Sequence, residues 1–174
     1  MKTIPTIFIL VAVFSVTGCQ TTTVESVSSS PTKKLTRGAN VYVVTPTDGS
    51  YNGKQYKGSG ASVATAFEAA LSRYADSVIV GERRDSTADV VAAAKEKKCA
   101  YAVIPKISRW EDRATEWSGI RDKMELFVKI VRIEDGAEMV SAEIKGKSGW
   151  ATFGGDHPED LLKAPVQEFV AGLF

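Results

Sequence analysis

The sequence predicts an α/β fold, bordering on α+β, built on a single mixed sheet with helices packed on it in the chain order β-α-β-α-β-β-β-α. Three observations predict it. Short runs that are apolar on both faces, at residues 41–44 and 99–104, are separated by stretches of helical periodicity, as expected of parallel strands covered on both sides. Past Ile107 the pattern changes to alternation, with Met124, Leu126, Val128 and Ile130 on one face and Glu125, Phe127, Lys129 and Val131 on the other. Asp135 and Gly136 then divide two alternating runs, which is a strong hairpin signal.

In chain order, residues 21–37 are dominated by Ser, Thr and Pro and hold almost no large apolar side chain. They bury too little surface to offset their own ordering entropy and are expected to form a flexible tether. Val41, Tyr42, Val43 and Val44 are β-branched or aromatic and read as a buried strand, closed by Pro46 and the turn residues Asp48 and Gly49. Val63, Phe67, Ala70, Leu71 and Tyr74 recur at helical spacing, and Ser59 is placed to cap that helix. Residues 77–80 give a short second strand. Ser86, three residues before Asp89, opens an Ala-rich helix with a basic end at residues 95–98.

Residues 99–104 form the third strand of a set that calls for parallel pairing through right-handed crossovers. The alternating run from Met124 and its partner through Val140, Ala142 and Ile144 add antiparallel strands. Asp156, three residues before Glu159, opens a last helix with the apolar stripe Leu162, Val166, Phe169, Val170 and Leu173. Pro165 is expected to kink or restart it.

The first residues set the compartment. Lys2 is basic, residues 4–16 are apolar, and Thr17 and Gly18 are small residues directly before Cys19. The apolar run is shorter than the roughly 20 residues that span a bilayer. This order resembles the bacterial lipobox. The resemblance implies that the Cys19 thiol receives a diacylglyceryl group, that the peptide before it is removed, and that the new amino terminus is acylated. At about 0.8 kcal/mol per buried methylene, three acyl chains hold a protein firmly to a membrane. The division that follows is a signal peptide at residues 1–18, a lipidated tether at 19–37 and one periplasmic domain at 38–174. Gln20 stands where, in the sorting pattern this resembles, Asp favours inner-membrane retention, so the expected location is the outer membrane.

Lysine and arginine number 22 against 21 aspartates and glutamates, and loss of Lys2 brings the two into balance, which argues against a nucleic-acid partner. With Cys19 lipidated, Cys99 has no partner for a disulfide and reads as a small packing residue.

Among residues that could carry chemistry, Gly58, Ser59 and Gly60 sit at a helix start, where free amides and the helix dipole favour phosphate. The spacing matches neither a P-loop nor a dinucleotide fingerprint, and glycines at helix starts commonly serve packing and capping. His157 is the single histidine, so no second imidazole supports metal binding or catalysis. A triad of Ser59, His157 and Asp156 lacks a nucleophile-elbow pattern. The most unusual segment runs from Arg109 to Gly119, where Trp110 and Trp117 frame Glu111, Asp112, Arg113 and Glu116, and Trp150 adds a third tryptophan. Two readings stand open for it. In one it is a long hairpin turn whose tryptophans cover the end of the sheet; in the other Trp110, Glu111, Arg113 and Trp117 form a partner surface, since Trp and Arg are enriched in interface hot spots.

Taken together, the lipobox, Gly58 to Gly60, the Trp110, Glu111, Asp112, Arg113 run, the Glu116, Trp117, Ser118, Gly119 run and the Asp156, His157, Pro158, Glu159 helix start resemble a family of small Gram-negative lipoproteins, domain of unknown function 4823. The likeness spans nearly the whole mature chain and brings no activity with it. The element order is also similar to the α/β domains of the curli secretion lipoprotein, the lipoprotein activator of penicillin-binding proteins and the amino-terminal domain of the Tol-system periplasmic protein. Those resemblances imply binding or assembly without catalysis.

The expectation is therefore a non-enzymatic, protein-binding or assembly lipoprotein of the cell envelope. It is held to the membrane through acylated Cys19, its partner is an envelope protein or further copies of itself, and no cofactor or metal is expected. The alternative is a small-ligand or glycan-binding module using Gly58, Ser59 and Gly60. A hydrolase ranks last.

Overall fold

The computed structural model describes residues 21–26, 34–112, 122–147 and 157–174, with side chains from residue 34 onward. The described elements are β1 (Thr21–Ser26), β2 (Val41–Val44), β3 (Ser50–Tyr51), β4 (Lys54–Gln55), α1 (Ser59–Leu71), β5 (Val78–Gly81), α2 (Thr87–Glu96), β6 (Tyr101–Glu111), β7 (Lys123–Arg132), β8 (Glu138–Lys147) and α3 (Lys163–Gly172). Six strands make one mixed sheet in the order β1-β8-β7-β6-β2-β5, and β3 with β4 makes a small hairpin beside it. β2 pairs in parallel with β5 and with β6, while β6, β7, β8 and β1 follow one another antiparallel. The α/β class and the predicted order are both present.

The two parallel crossovers place their helices on opposite faces. Chain leaving β2 runs through α1 to β5, and chain leaving β5 runs through α2 to β6 on the other side of β2. With both crossovers right-handed, reversing the direction of travel puts the helices on opposite sides of the sheet. The core divides accordingly. Val41 and Val43 join α1, α3 and the inner residues of β7 and β8 in the larger cluster, with Phe67, Leu126, Ile130, Ile144 and Val166 all fully buried. Tyr42 and Val44 point the other way and pack with Val90 and Ala94 of α2, Cys99, Ala102 and Ile133. A strand apolar on both faces, as read from residues 41–44, is the consequence.

Several boundaries differ from those predicted. β6 continues to Glu111 because a register shift between Ile107 and Arg109 interrupts the alternation and then restores pairing, with Trp110 opposite Met124. The irregularity lets both Ile107 and Trp110 face the larger core, three residues apart instead of two. α3 begins at Lys163, so Pro165 falls in its first turn, where a missing N–H costs nothing. Ahead of it, residues 158–162 make a separate turn in which the Asp160 carboxylate accepts the His157 N–H at 3.1 Å.

Part of the predicted tether is ordered. Thr21–Ser26 pairs antiparallel with β8, whose outer edge would otherwise expose a row of unpaired backbone groups. Residues 34–37 also belong to the domain, which the boundary at residue 38 had left out. Leu35 is buried and its N–H donates to the Leu173 carbonyl at 2.8 Å, and the Arg37 guanidinium lies 4.9 Å over the Tyr74 ring, which itself stacks on Phe174. One apolar side chain among polar neighbours was too faint a signal to move that boundary.

Among the described residues no helix is long and apolar enough to cross a membrane.

Candidate functional site

The start of α1 is closed by the chain itself. Gly58, with a φ of 92°, is the cap residue, and Ser59 is the first helical residue rather than the cap. The Asp48 carboxylate reaches back from the loop after β2 and accepts the Gly60 N–H at 2.9 Å and the Gly58 N–H at 3.2 Å. A carboxylate at a helix N-terminus complements the dipole there. Ser59 is fully buried; its Oγ donates to the Tyr56 carbonyl at 2.7 Å and accepts the Gly49 N–H at 2.8 Å. A Cβ on Gly60 would run into the Pro46 carbonyl oxygen. Gly58, Ser59 and Gly60 are thus a packing and capping device, and the position predicted for a ligand's phosphate is taken by Asp48.

The same geometry separates the members of the drawn triad. The Ser59 hydroxyl is spent on backbone groups, whereas the His157 Nδ1 lies 3.4 Å from Asp112 Oδ1. That hydrogen bond, with the Asp112 charge behind it, raises the His157 pKa above its ordinary value. Asp156 lies outside the described residues.

The tryptophan segment resolves in part. Trp110 is 1% exposed, inside the larger core, and its Cβ is so close to the Gly49 backbone that a Cβ there would sit 2.6 Å away. Glu111 is also buried, at the end of β6, with Arg109 Nε 3.6 Å from its carboxylate. For these two residues the partner-surface expectation is corrected in favour of packing, because the register shift in β6 turns the indole inward. Arg113, Trp117, Trp150 and the lipidation site Cys19 lie outside the described residues. Cys99 is buried among the α2-side residues, and burial pushes its thiol pKa up, away from thiolate reactivity.

A different site emerges at the carboxyl ends of the parallel strands. The loop leaving β2 turns toward the α1 face and the loop leaving β5 turns toward the α2 face, so a crevice opens between them. Its volume is about 400 Å³, and it is lined by the β2 exit through Ser50, by Arg83 and Arg84 beyond β5, and by β6 from Ile104 to Arg109. Its lining holds four cationic side chains, Arg83, Arg84, Lys106 and Arg109, against the single carboxylate of Asp48. Arg109 is engaged with Glu111 at 3.6 Å and Glu125 at 3.4 Å, and Arg83 stands 3.9 Å from the almost fully exposed Asp85. Among the described residues Arg84 and Lys106 take part in no ion pair. Sequence reading did not single out this pair. Adjacent arginines just beyond a strand were a visible signal, but only the strand order reveals that they line one crevice with Lys106.

A mixed-sheet α/β domain with a crevice at the switch point of its parallel strands is the class this geometry defines. The sequence pattern of the family described as domain of unknown function 4823 matches residues 33–173, and the chain belongs to that family. No curated protein matches the sequence. Among solved structures, the fold is shared with the PelC dodecamer from Paraburkholderia phytofirmans at 15% identity and a TM-score of 0.65, covering 89% of this chain and 97% of that one. It is also similar to the hypothetical protein CT253 from Chlamydia trachomatis, at 13% identity and a TM-score of 0.51 over 76% of this chain and 94% of that one. Lipoprotein GNA1162 from Neisseria meningitidis matches more loosely, at 13% identity and a TM-score of 0.46 over 64% and 83%.

Proposed function

We propose that this chain is an outer-membrane lipoprotein, anchored through acylated Cys19, whose periplasmic domain works without catalysis by assembling with further copies of itself. The observation that carries the reading is the likeness to PelC, a dodecamer, over nearly the whole of both chains. The sheet supplies a suitable edge. β1 covers β8 at one side, but β5 ends the sheet at the other, and Val80 on it is 39% exposed, the one exposed large hydrophobic side chain among the described residues. An open strand edge carrying an apolar side chain is a template for pairing with another chain.

The test is native mass spectrometry and light scattering of the acylated full chain in non-ionic detergent. One discrete oligomer, reduced toward the protomer by Val80→Lys, is the expected result. A protomer at every concentration removes self-assembly. In-cell crosslinking that then recovers one other envelope protein, and only from anchored cells, would make the domain an adaptor instead.

A further inference from the structure

We propose that the crevice between the exits of β2 and β5 binds an oxyanion, a phosphate or carboxylate group carried by a small polar molecule. In open α/β sheets the loops at a switch point diverge to opposite faces and leave a cavity that no side chain of the chain itself has to fill. Here the diverging loops are those after Val44 and after Gly81, and the cavity between them, at about 400 Å³, is within the range of small-molecule sites.

Charge then selects the ligand. The one carboxylate in the lining, Asp48, is turned to the α1 amides at 2.9 and 3.2 Å and is occupied there. Arg109 is balanced by Glu111 and Glu125. Arg84, from the loop beyond β5, and Lys106, from β6, line the same cavity, and neither is in an ion pair with a described residue, although Arg84 also borders a second hollow that holds Asp85, Asp89 and Glu96. Two like charges held at one cavity repel, and an anion between them removes the repulsion while gaining charge-assisted hydrogen bonds. A guanidinium presents a planar fork that matches phosphate and carboxylate alike, and an ammonium adds a point charge. The lining also offers the hydroxyls of Thr47 and Ser50, both exposed, for the polar body of the ligand, while the Thr45 hydroxyl is held by the Gly81 carbonyl at 2.8 Å. The α1 start offers no such place, because its amides already have an anion.

The experiment is isothermal titration calorimetry on the acylated full chain in non-ionic detergent, with inorganic phosphate, pyrophosphate and glucuronate as probes at constant ionic strength set with chloride. Saturable binding of at least one probe is expected, weakened by about tenfold or more in Arg84→Ala and in Lys106→Ala and unchanged in Lys163→Ala, a basic residue on α3 away from the crevice. Both variants alter exposed side chains, and Arg84→Lys, which keeps the charge and loses the fork, is expected to bind with intermediate affinity. Preference for pyrophosphate over glucuronate assigns a phosphorylated ligand, and the reverse assigns a uronic acid. The proposal is overturned if none of the probes binds saturably, or if Arg84→Ala, Lys106→Ala and Arg84→Lys all bind as the parent chain does.

Discussion

Along β2 all four side chains are buried, whereas along β7 buried and half-exposed positions alternate for most of its length. The two strands lie in one sheet, one strand apart, and differ in what connects them. β2 is reached and left by crossovers that lay α1 and α2 on opposite faces, so each of its residues meets a helix. β7 is joined to its neighbours by antiparallel pairing; its inner residues join α1 and α3 in the larger cluster, while Glu125, Phe127 and Lys129 on the other face are half-exposed. Its outer residues Glu125 and Lys129 make ion pairs in water with Arg109 and Glu138, at 3.4 and 3.3 Å. The connection decides the number of dry faces, and the number of dry faces decides the sequence pattern. It also decides where a crevice forms, because only the parallel half has diverging loops.

The largest test of this difference is truncation on the two faces of one antiparallel ladder. Trp110→Ala should cost about 3–5 kcal/mol and Leu126→Ala about 2–5 kcal/mol in urea denaturation, since both side chains are essentially inaccessible and leave cavities. Phe127→Ala, one residue along β7 on the half-exposed face, should cost less than about 1.5 kcal/mol. Equal losses at Leu126 and Phe127 would break the two-faced description.

A second test targets the cradle between the β2 exit and α1. Gly60→Ala drives a methyl group toward the Pro46 carbonyl and should destabilise by about 1–3 kcal/mol. Asp48→Ala removes the carboxylate that caps two amides and should cost about 0.5–2 kcal/mol by the same measurement. If Asp48→Ala is neutral in phosphate-free buffer, the amides at the α1 start are not held by that carboxylate.

On the solvated face, Lys129→Ala should change stability by no more than about 1 kcal/mol, because the Lys129 and Glu138 side chains are each more than a third exposed and screened by salt. The smallest effect is expected at His157. Hydrogen bonding to Asp112 raises its folded pKa above the ordinary 6.5, so the contact contributes fully below pH 6.5 and is lost as pH rises through the raised value. As the single histidine, it gives one assignable imidazole signal in an NMR titration. Asp112→Asn should return that titration toward 6.5, and an unmoved midpoint would show that the pair does not form in solution.

Much of the fold was legible because burial leaves a periodic trace. Val41 to Val44 announced a strand between two helices, Met124 to Ile130 announced a one-sided ladder, and Asp135 with Gly136 announced the hairpin. In that turn Gly136 takes a φ of 69°, and Arg132 donates from its Nε to the Asp135 carboxylate at 2.9 Å, holding the Asp135 pKa down at about 2. Trp110 was harder to read. Its neighbours are charged, and the register shift after Ile107 breaks the alternation that would have marked it as core. Asp48 gave no local sign that it caps a helix beginning eleven residues later, and Thr21–Ser26 had no apolar face by which to declare a strand.

By itself the sequence determined the class of the fold, the order of its elements and which face of each strand is dry, because those follow from the periodicity of apolar side chains along a local stretch. Only the tertiary structure decided that Asp48 closes the α1 start and that Trp110 is buried. It alone brought Arg84 and Lys106 to one crevice. Those relations join residues far apart in the chain, and their positions are set by strand order and crossover direction, which no local pattern encodes.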